Sequence, residues 1–288
     1  MSSTQDLWLG KPDERERFLV VKPDRLTRIC AALLKATGAS EEVHAVATGC
    51  VNANLAGHDS HGVIAILGYI DSTKAGDILR GAEWTIVRES STTAVIDGHW
   101  VFAFHVNTKA MGLAIEKAKT ANVAACTVFN QSYVGRLAAH PLMAATAGMI
   151  GLAIADSGRS PKYVAPFGRR EARLGTNPIS IAVPSNLEAS FLLDMATSAV
   201  AAGKLELAIA RGEKIPKGWL IDAEGCAQPT PRSYRKGGVL PATRRHQGLQ
   251  AQRPRSNRGT VPRPADRPWF PIQPSGGGIS AALSLCSL

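Results

Sequence analysis

Apolar residues recur at helical spacing along the first part of the chain and at strand spacing further on. In "KPDRLTRICAALLKATG" Leu26, Ile29, Leu33 and Leu34 line one side of a 3.6-residue period, Pro23 suits the first turn and Gly38 the stop. Ser40 is placed to cap a second helix through "EEVHAVATGCVNANLA", with Glu41 and Glu42 in its electropositive first turn and Gly57 at its end. "VIAILGYIDSTKAG" predicts a third helix. Short β runs follow at "WTIVRE" and "TAVIDG", then a helix at "NTKAMGLAIEKAKTA" and a buried-type strand at "VAACTVF". A small-residue helix near "MAATAG" leads to the strand "MIGLAIAD". "ISIAVP" and "FLLDMAT" predict two more strands, and "AVAAGKLELAIARG" a last helix.

This order predicts an α/β protein. Residues 1–20 form an N-terminal extension, 21–92 a helical unit and 93–231 a unit of alternating strands and helices. The pattern breaks down beyond that point. Residues 232–288 hold seven Pro and seven Gly with no sustained apolar period, the composition of disordered chain.

Charge sharpens that boundary. The formal net charge is +10, from 33 Lys and Arg against 23 Asp and Glu. From Arg232 onward there are ten basic residues and one acidic, which leaves 23 against 22 in the first 231 positions. The body is electrostatically ordinary. An Arg/Pro-rich tail can bind RNA by charge alone, although such a tail more often does nothing specific, so nucleic acid is not the expected partner. No apolar run approaches the roughly 18 residues that span a bilayer, and the N-terminus has no secretory pattern. The five cysteines are odd in number and widely spaced, which argues against a disulfide framework or a zinc site. These features predict a reduced, cytoplasmic protein without a membrane partner.

The densest chemistry lies in "GHDSHG", residues 57–62, between the second and third helices. Ser60 beside His61 is an unusual hydrolase arrangement, because an activated serine normally sits on a strained strand-to-helix turn with its base arriving from elsewhere. His58 and His61 lack further ligands at metal-site spacing. Ser60 as a cap of the next helix, with solvated histidines, is the plain structural alternative. A substrate pocket is the fourth reading, since a hydroxyl and an imidazole together suit the carboxylate or carbonyl of a small 2-hydroxy or 2-oxo acid. The loop "VAPFGRREARLGTNP" supports it, with Gly168 and Gly175 for close backbone approach and Thr176 and Asn177 as polar donors. "LLDMATSAVAAGK" then runs from a strand into a helix start, where backbone N–H groups can meet an anion. There is no GxGxxG fingerprint.

Taken in order, "GHDSHGV", "VGRL", "VAPFG", "GTNP" and "DMATSAVAAGK" resemble the malate/L-lactate dehydrogenase-like family of NAD(P)-dependent 2-hydroxyacid oxidoreductases. The resemblance covers about residues 22–232. It implies a helical substrate and dimerisation unit, a cofactor domain with a mixed sheet of non-Rossmann topology, a homodimer, and NAD or NADP as cofactor. It assigns Ser60, His61, Thr176 and Asn177 to the substrate, and Ser157, Gly175, Asp194, Met195, Ala196 and Lys204 to the cofactor. Hydride would pass between substrate C2 and the nicotinamide.

Several positions depart from the family pattern. Tyr133 stands where the family places its acid/base histidine, leaving Tyr133 or His61 as the catalytic candidates. Ala65 stands where an arginine is usual, "WVFAF" replaces a glycine-rich run at 100–104, and Arg169 follows "PFG" where a second glycine is expected. A left-handed backbone at Arg169 would cost about 1–2 kcal/mol. The family's "KGYGL" segment is missing, and the change of charge and period suggests a shifted reading frame near residue 240. Two other readings follow, a remnant that keeps the cofactor fold without turnover and an RNA-binding protein working through its tail.

Overall fold

The computed structural model describes residues 20–39, 42–156, 162–186 and 189–242, and the backbone of 282–287. Three helices come first: α1 (Pro23–Lys35), α2 (Glu42–Leu55) and α3 (Ala65–Ala75), with a 3₁₀ turn at Asp59–His61 between the last two. Pro23 opens α1, and its Leu34 is fully buried against Val46 and Ala47 of α2 and Ile66 of α3. Ser40 and Glu41, proposed as cap and first turn of α2, lie outside the described residues.

A seven-stranded mixed sheet follows in the order β1 (Thr85–Glu89), β2 (Thr93–Asp97), β3 (Val123–Phe129), β9 (Ala282–Ser287), β4 (Ile150–Ala155), β6 (Ile179–Val183) and β7 (Phe191–Met195). Only β2 and β3 pair in parallel, joined by the crossover helix α4 (Ala103–Ala121). Every other pairing in the sheet is antiparallel. The sheet begins at Thr85, inside the residues assigned from sequence to the helical unit, because β1 pairs with β2 as a hairpin. Ala110, Ala114 and Ala118, one turn apart on α4, are fully buried among Ile96, Cys126 and Val128. Alanines there let the helix lie close on the strands. α4 also begins four residues before the pattern suggests, because the Ser132 hydroxyl accepts the Ala103 N–H at 3.0 Å. That partner is distant in sequence, so no local pattern announces it.

α5 (Ala139–Thr146) packs on β4, and α6 (Ala202–Arg211) begins a third cluster with Val164, Leu205, Leu220 and Leu240. Here the expectation of disorder from residue 232 needs correcting. Pro231–Lys236 forms a 3₁₀ helix, and β8 (Leu240–Pro241) pairs in parallel with β5 (Val164–Ala165). Leu240 is fully buried. Residues 282–287 add the strand between β3 and β4. Two apolar residues among Gly, Pro and Arg carry no period, yet one long-range backbone pairing orders them. Residues 1–19 and 243–281 lie outside the described residues.

Candidate functional site

The corner at 57–62 is built from α2. Asn54, in its last turn, donates from Nδ2 to Asp59 Oδ1 at 2.8 Å and accepts the Val63 N–H on Oδ1 at 2.8 Å. This places the Asn54 amide where a side chain on Gly62 would have to go: a Cβ there would lie 2.2 Å from Asn54 Oδ1. The glycine after "SH" is therefore a steric requirement. Ser60 is buried, with its Oγ 3.0 Å from His61 Nδ1. It caps no helix, since the residue preceding α3 is Ile64. α6 closes on the corner from the other side. A Cβ on Gly203 would lie 2.8 Å from the Ser60 carbonyl oxygen.

His61 is flanked by two rings. The His58 centroid lies 4.3 Å away, and Tyr133 stacks at 5.8 Å with 26° between planes. The Tyr69 hydroxyl donates to the Tyr133 carbonyl at 3.3 Å, which ties the "QSYVG" loop to α3. Ser60, Tyr69, Trp100, Gln131, Tyr133 and Tyr163 line a cleft of about 610 Å³. Ala65 lines it too, so an arginine at that position would have pointed at this space from α3. Trp100 is held at φ +59°, Asn130 at +49° and Asn177 at +34°, a strained backbone for residues other than glycine.

The titratable groups of the corner move in opposite directions. Burial pushes the His61 imidazole down to about 4, helped by the neighbouring His58, Lys204 and Arg136 charges. Tyr133 keeps 43% of its surface open, yet enough protein surrounds it for desolvation, aided by Cys50, to push the phenol above its usual range. His58 Nδ1 stands 3.9 Å from Asp194 Oδ2. Burial lowers the His58 pKa against the pull of that carboxylate and raises Asp194 against the pull of His58 and Arg136. Desolvation wins on both partners, so the contact is a neutral imidazole beside a carboxyl group rather than a strong ion pair.

Asp194 and Met195 end β7, and the chain then turns at Thr197. Its N–H donates to the Thr176 carbonyl at 2.9 Å and its hydroxyl to the Asn177 carbonyl at 2.9 Å, clasping the "GTNP" and "DMAT" turns together. Among the described residues, Asn177 Oδ1 is buried without a hydrogen-bond donor, and Arg136 Nε without an acceptor. Thr197 and Ser198 are not at a helix start as their sequence suggests. α6 begins at Ala202, and the Ser198 hydroxyl donates to the Val200 carbonyl at 2.7 Å. Backbone carbonyls occupy both hydroxyls.

The residues singled out from sequence thus fall into neighbouring groups. Ser60 and Tyr133 line one cleft, His61 touches both of them, and Asp194 reaches that corner through His58. Lys204 lines a smaller pocket of about 310 Å³ with His58, Asp59 and Ser60. Ala196 faces a separate groove, and Gly175 is buried beneath the clasped turns. Ser157 lies outside the described residues. Arg169 escapes the strain anticipated for it, because the left-handed residue of that turn is Gly168, at φ +76°. Sequence reasoning missed Arg136 and Tyr69. The first sits in the quoted "VGRL" and the second seven residues after "SHG", but neither position has a local pattern that marks it as belonging to this corner.

The fold and this corner define an α/β protein in which the 3₁₀ turn after α2 meets the end of β7 and the start of α6. The family model for malate/L-lactate dehydrogenase matches residues 21–251, and the chain belongs to that family. It is 38% identical over 228 residues to a malate dehydrogenase of Pyrococcus abyssi, covering 78% of this chain and 62% of that protein. It is 38% identical over 222 residues to an L-sulfolactate dehydrogenase of Methanothermobacter thermautotrophicus, covering 77% and 64%. Among solved structures, malate dehydrogenase from Entamoeba histolytica superposes with a TM-score of 0.72 at 32% identity, over 76% of this chain and 62% of that one. The chain spans under two thirds of the length of these relatives.

Proposed function

We propose that this chain binds a nicotinamide dinucleotide along the Asp194–Ala196 turn and interconverts a small 2-hydroxy acid and its 2-oxo acid at the Ser60–His61 corner. The observation that carries this reading is the approach of the corner to the strand end, with His58 Nδ1 3.9 Å from Asp194 Oδ2. A redox site needs substrate and cofactor groups on facing walls. The buried, donorless Asn177 Oδ1 suits a ligand that brings an amide N–H, as a nicotinamide carboxamide does. Bound there, the nicotinamide would supply or accept the hydride. Ser60 and a neutral His61 hydrogen-bond the substrate oxygen, Arg136 provides positive charge for its carboxylate, and Lys204 remains assigned to the cofactor. A phenol raised above its usual range holds its proton at neutral pH, so Tyr133 donates to the nascent alkoxide in the reductive direction and is a poor base in the oxidative one.

A homodimer belongs to this proposal. Ile29 and Leu33, one turn apart on α1, are both nearly half exposed, an apolar strip that a second copy would cover. A cytoplasmic location fits a chain in which, among the described residues, no helix is long and apolar enough to cross a membrane.

Titration of NADH fluorescence, followed by NADH oxidation with pyruvate or oxaloacetate, tests the reading. Binding with turnover is the expected result. Binding without turnover selects a remnant that keeps the cofactor fold, a second reading favoured by Tyr133 in the position of the family histidine. Absence of binding rejects both.

A further inference from the structure

The groove faced by Ala196 carries chemistry that the reading above does not use. Its volume is about 720 Å³, and Phe167, Arg169, Ala196, Lys217, Trp219 and Glu224 are among the residues that bound it. Ala196 belongs to the turn proposed to hold the cofactor, so the groove is continuous with that turn. Neither Arg169 nor Lys217 has an ion-pair or side-chain hydrogen-bond partner among the described residues, and both are exposed. The neighbouring Arg170 also lines the groove and is fixed in place, its Nη1 donating to the carbonyls of Ala223 at 3.3 Å and Glu224 at 3.2 Å. Three cations therefore face one carboxylate, that of Glu224. Trp219 and the exposed Phe167 also line the groove and supply two aromatic rings.

We infer that this groove takes the adenosine end of the dinucleotide, and that Arg169 and Lys217 hold a phosphate on its ribose 2′-oxygen, so that the chain uses NADP(H) in preference to NAD(H). The inference rests on the dehydrogenase reading and specifies its cofactor. Dinucleotide sites commonly separate the two cofactors at this oxygen, with an acidic residue accepting from a free 2′-hydroxyl or an arginine pairing with a 2′-phosphate. Glu224 is the competing element of the first kind. Two unpaired cations, one of them a guanidinium able to engage two phosphate oxygens at once, outweigh it. The aromatic faces offer a stacking surface to the adenine. Arg169, the departure from the family's second glycine, thereby gains a role that its unstrained backbone leaves it free to perform.

The test is a binding titration of the full chain with NADP⁺, NAD⁺, 2′,5′-ADP and 5′-AMP, read by quenching of Trp fluorescence and by calorimetry. The expected result is NADP⁺ binding at least roughly tenfold tighter than NAD⁺, with 2′,5′-ADP tighter than 5′-AMP and the gap narrowing as salt rises. Combining Arg169→Ala with Lys217→Ala brings the two dinucleotides close to parity by weakening NADP⁺ and sparing NAD⁺. Equal or tighter binding of NAD⁺, or an unchanged ratio in the double variant, overturns the inference and leaves the dehydrogenase reading standing. Failure of both dinucleotides to bind removes that reading as well. Both side chains are exposed, and circular dichroism of the double variant checks that its fold is kept.

Discussion

A phenol and an imidazole stack side by side at the Ser60 corner, and burial drives their protons in opposite directions. His61, lowered to about 4, is neutral at physiological pH and holds a proton weakly, whereas Tyr133, raised, holds one firmly. Tyr133→His should therefore raise the oxidative rate, measured as reduction of the nicotinamide cofactor with malate or lactate. A well-placed base is worth roughly 10²-fold or more. A fall in that rate would show that the tyrosine is an adapted acid. His140 makes a second prediction. It is 2% exposed, both ring nitrogens lack hydrogen-bond partners among the described residues, and burial lowers its pKa to about 4. The unfolded imidazole titrates near 6.5. The unfolded state thus binds more protons between about pH 6.5 and 4, so stability is present above that window and is lost as pH falls through it. At about 1.4 kcal/mol per pH unit, the loss from His140 is on the order of 3 kcal/mol. Denaturant melts of His140→Leu should show about 1 kcal/mol of gained stability at pH 7 and a flatter acid limb, because two unpaired polar atoms leave the core. A variant less stable at pH 7 would mean that the ring nitrogens are satisfied after all.

At the scale of elements, the corner depends on two glycines whose missing Cβ atoms make room for Asn54 and for the Ser60 backbone. Gly203→Ala should push α6 off the corner, costing about 1–3 kcal/mol by overpacking. Activity should fall further than that stability loss explains, since Ser60 moves with the helix. A normal KM and rate with only a lowered Tm would separate α6 from the site. Most elements were legible beforehand. α1 follows an apolar stripe, β2 and β3 form at the short β runs the sequence offers, and the "GHDSHG" turn lies where Gly57 predicts it. The failures share a cause. α4 gains its first turn from Ser132, 29 residues away, and β8 exists because Val164 offers it an edge. Neither partner is visible in the local pattern.

At the scale of the whole molecule, the sheet is closed by its last strand. β9 pairs with β3 on one side and β4 on the other, with Leu285 opposite Ala125 and Leu152. A strand paired on both sides does not tolerate proline, which removes a ladder hydrogen bond. Leu285→Pro should lower Tm by roughly 2–4 °C for each kcal/mol lost and expose edges prone to aggregation. An unchanged Tm would remove β9 from the sheet's stabilising core.

The family and the order of most helices and strands were present in the sequence. Periodicity, turn residues and short motifs are local properties, and local properties are written along the chain. Only the tertiary structure placed His58 against Asp194, turned Arg136 toward the same corner and brought Arg169 and Lys217 to one groove. Those relations join positions far apart in sequence, and burial, which sets the protonation of each group, follows from how the units close on one another.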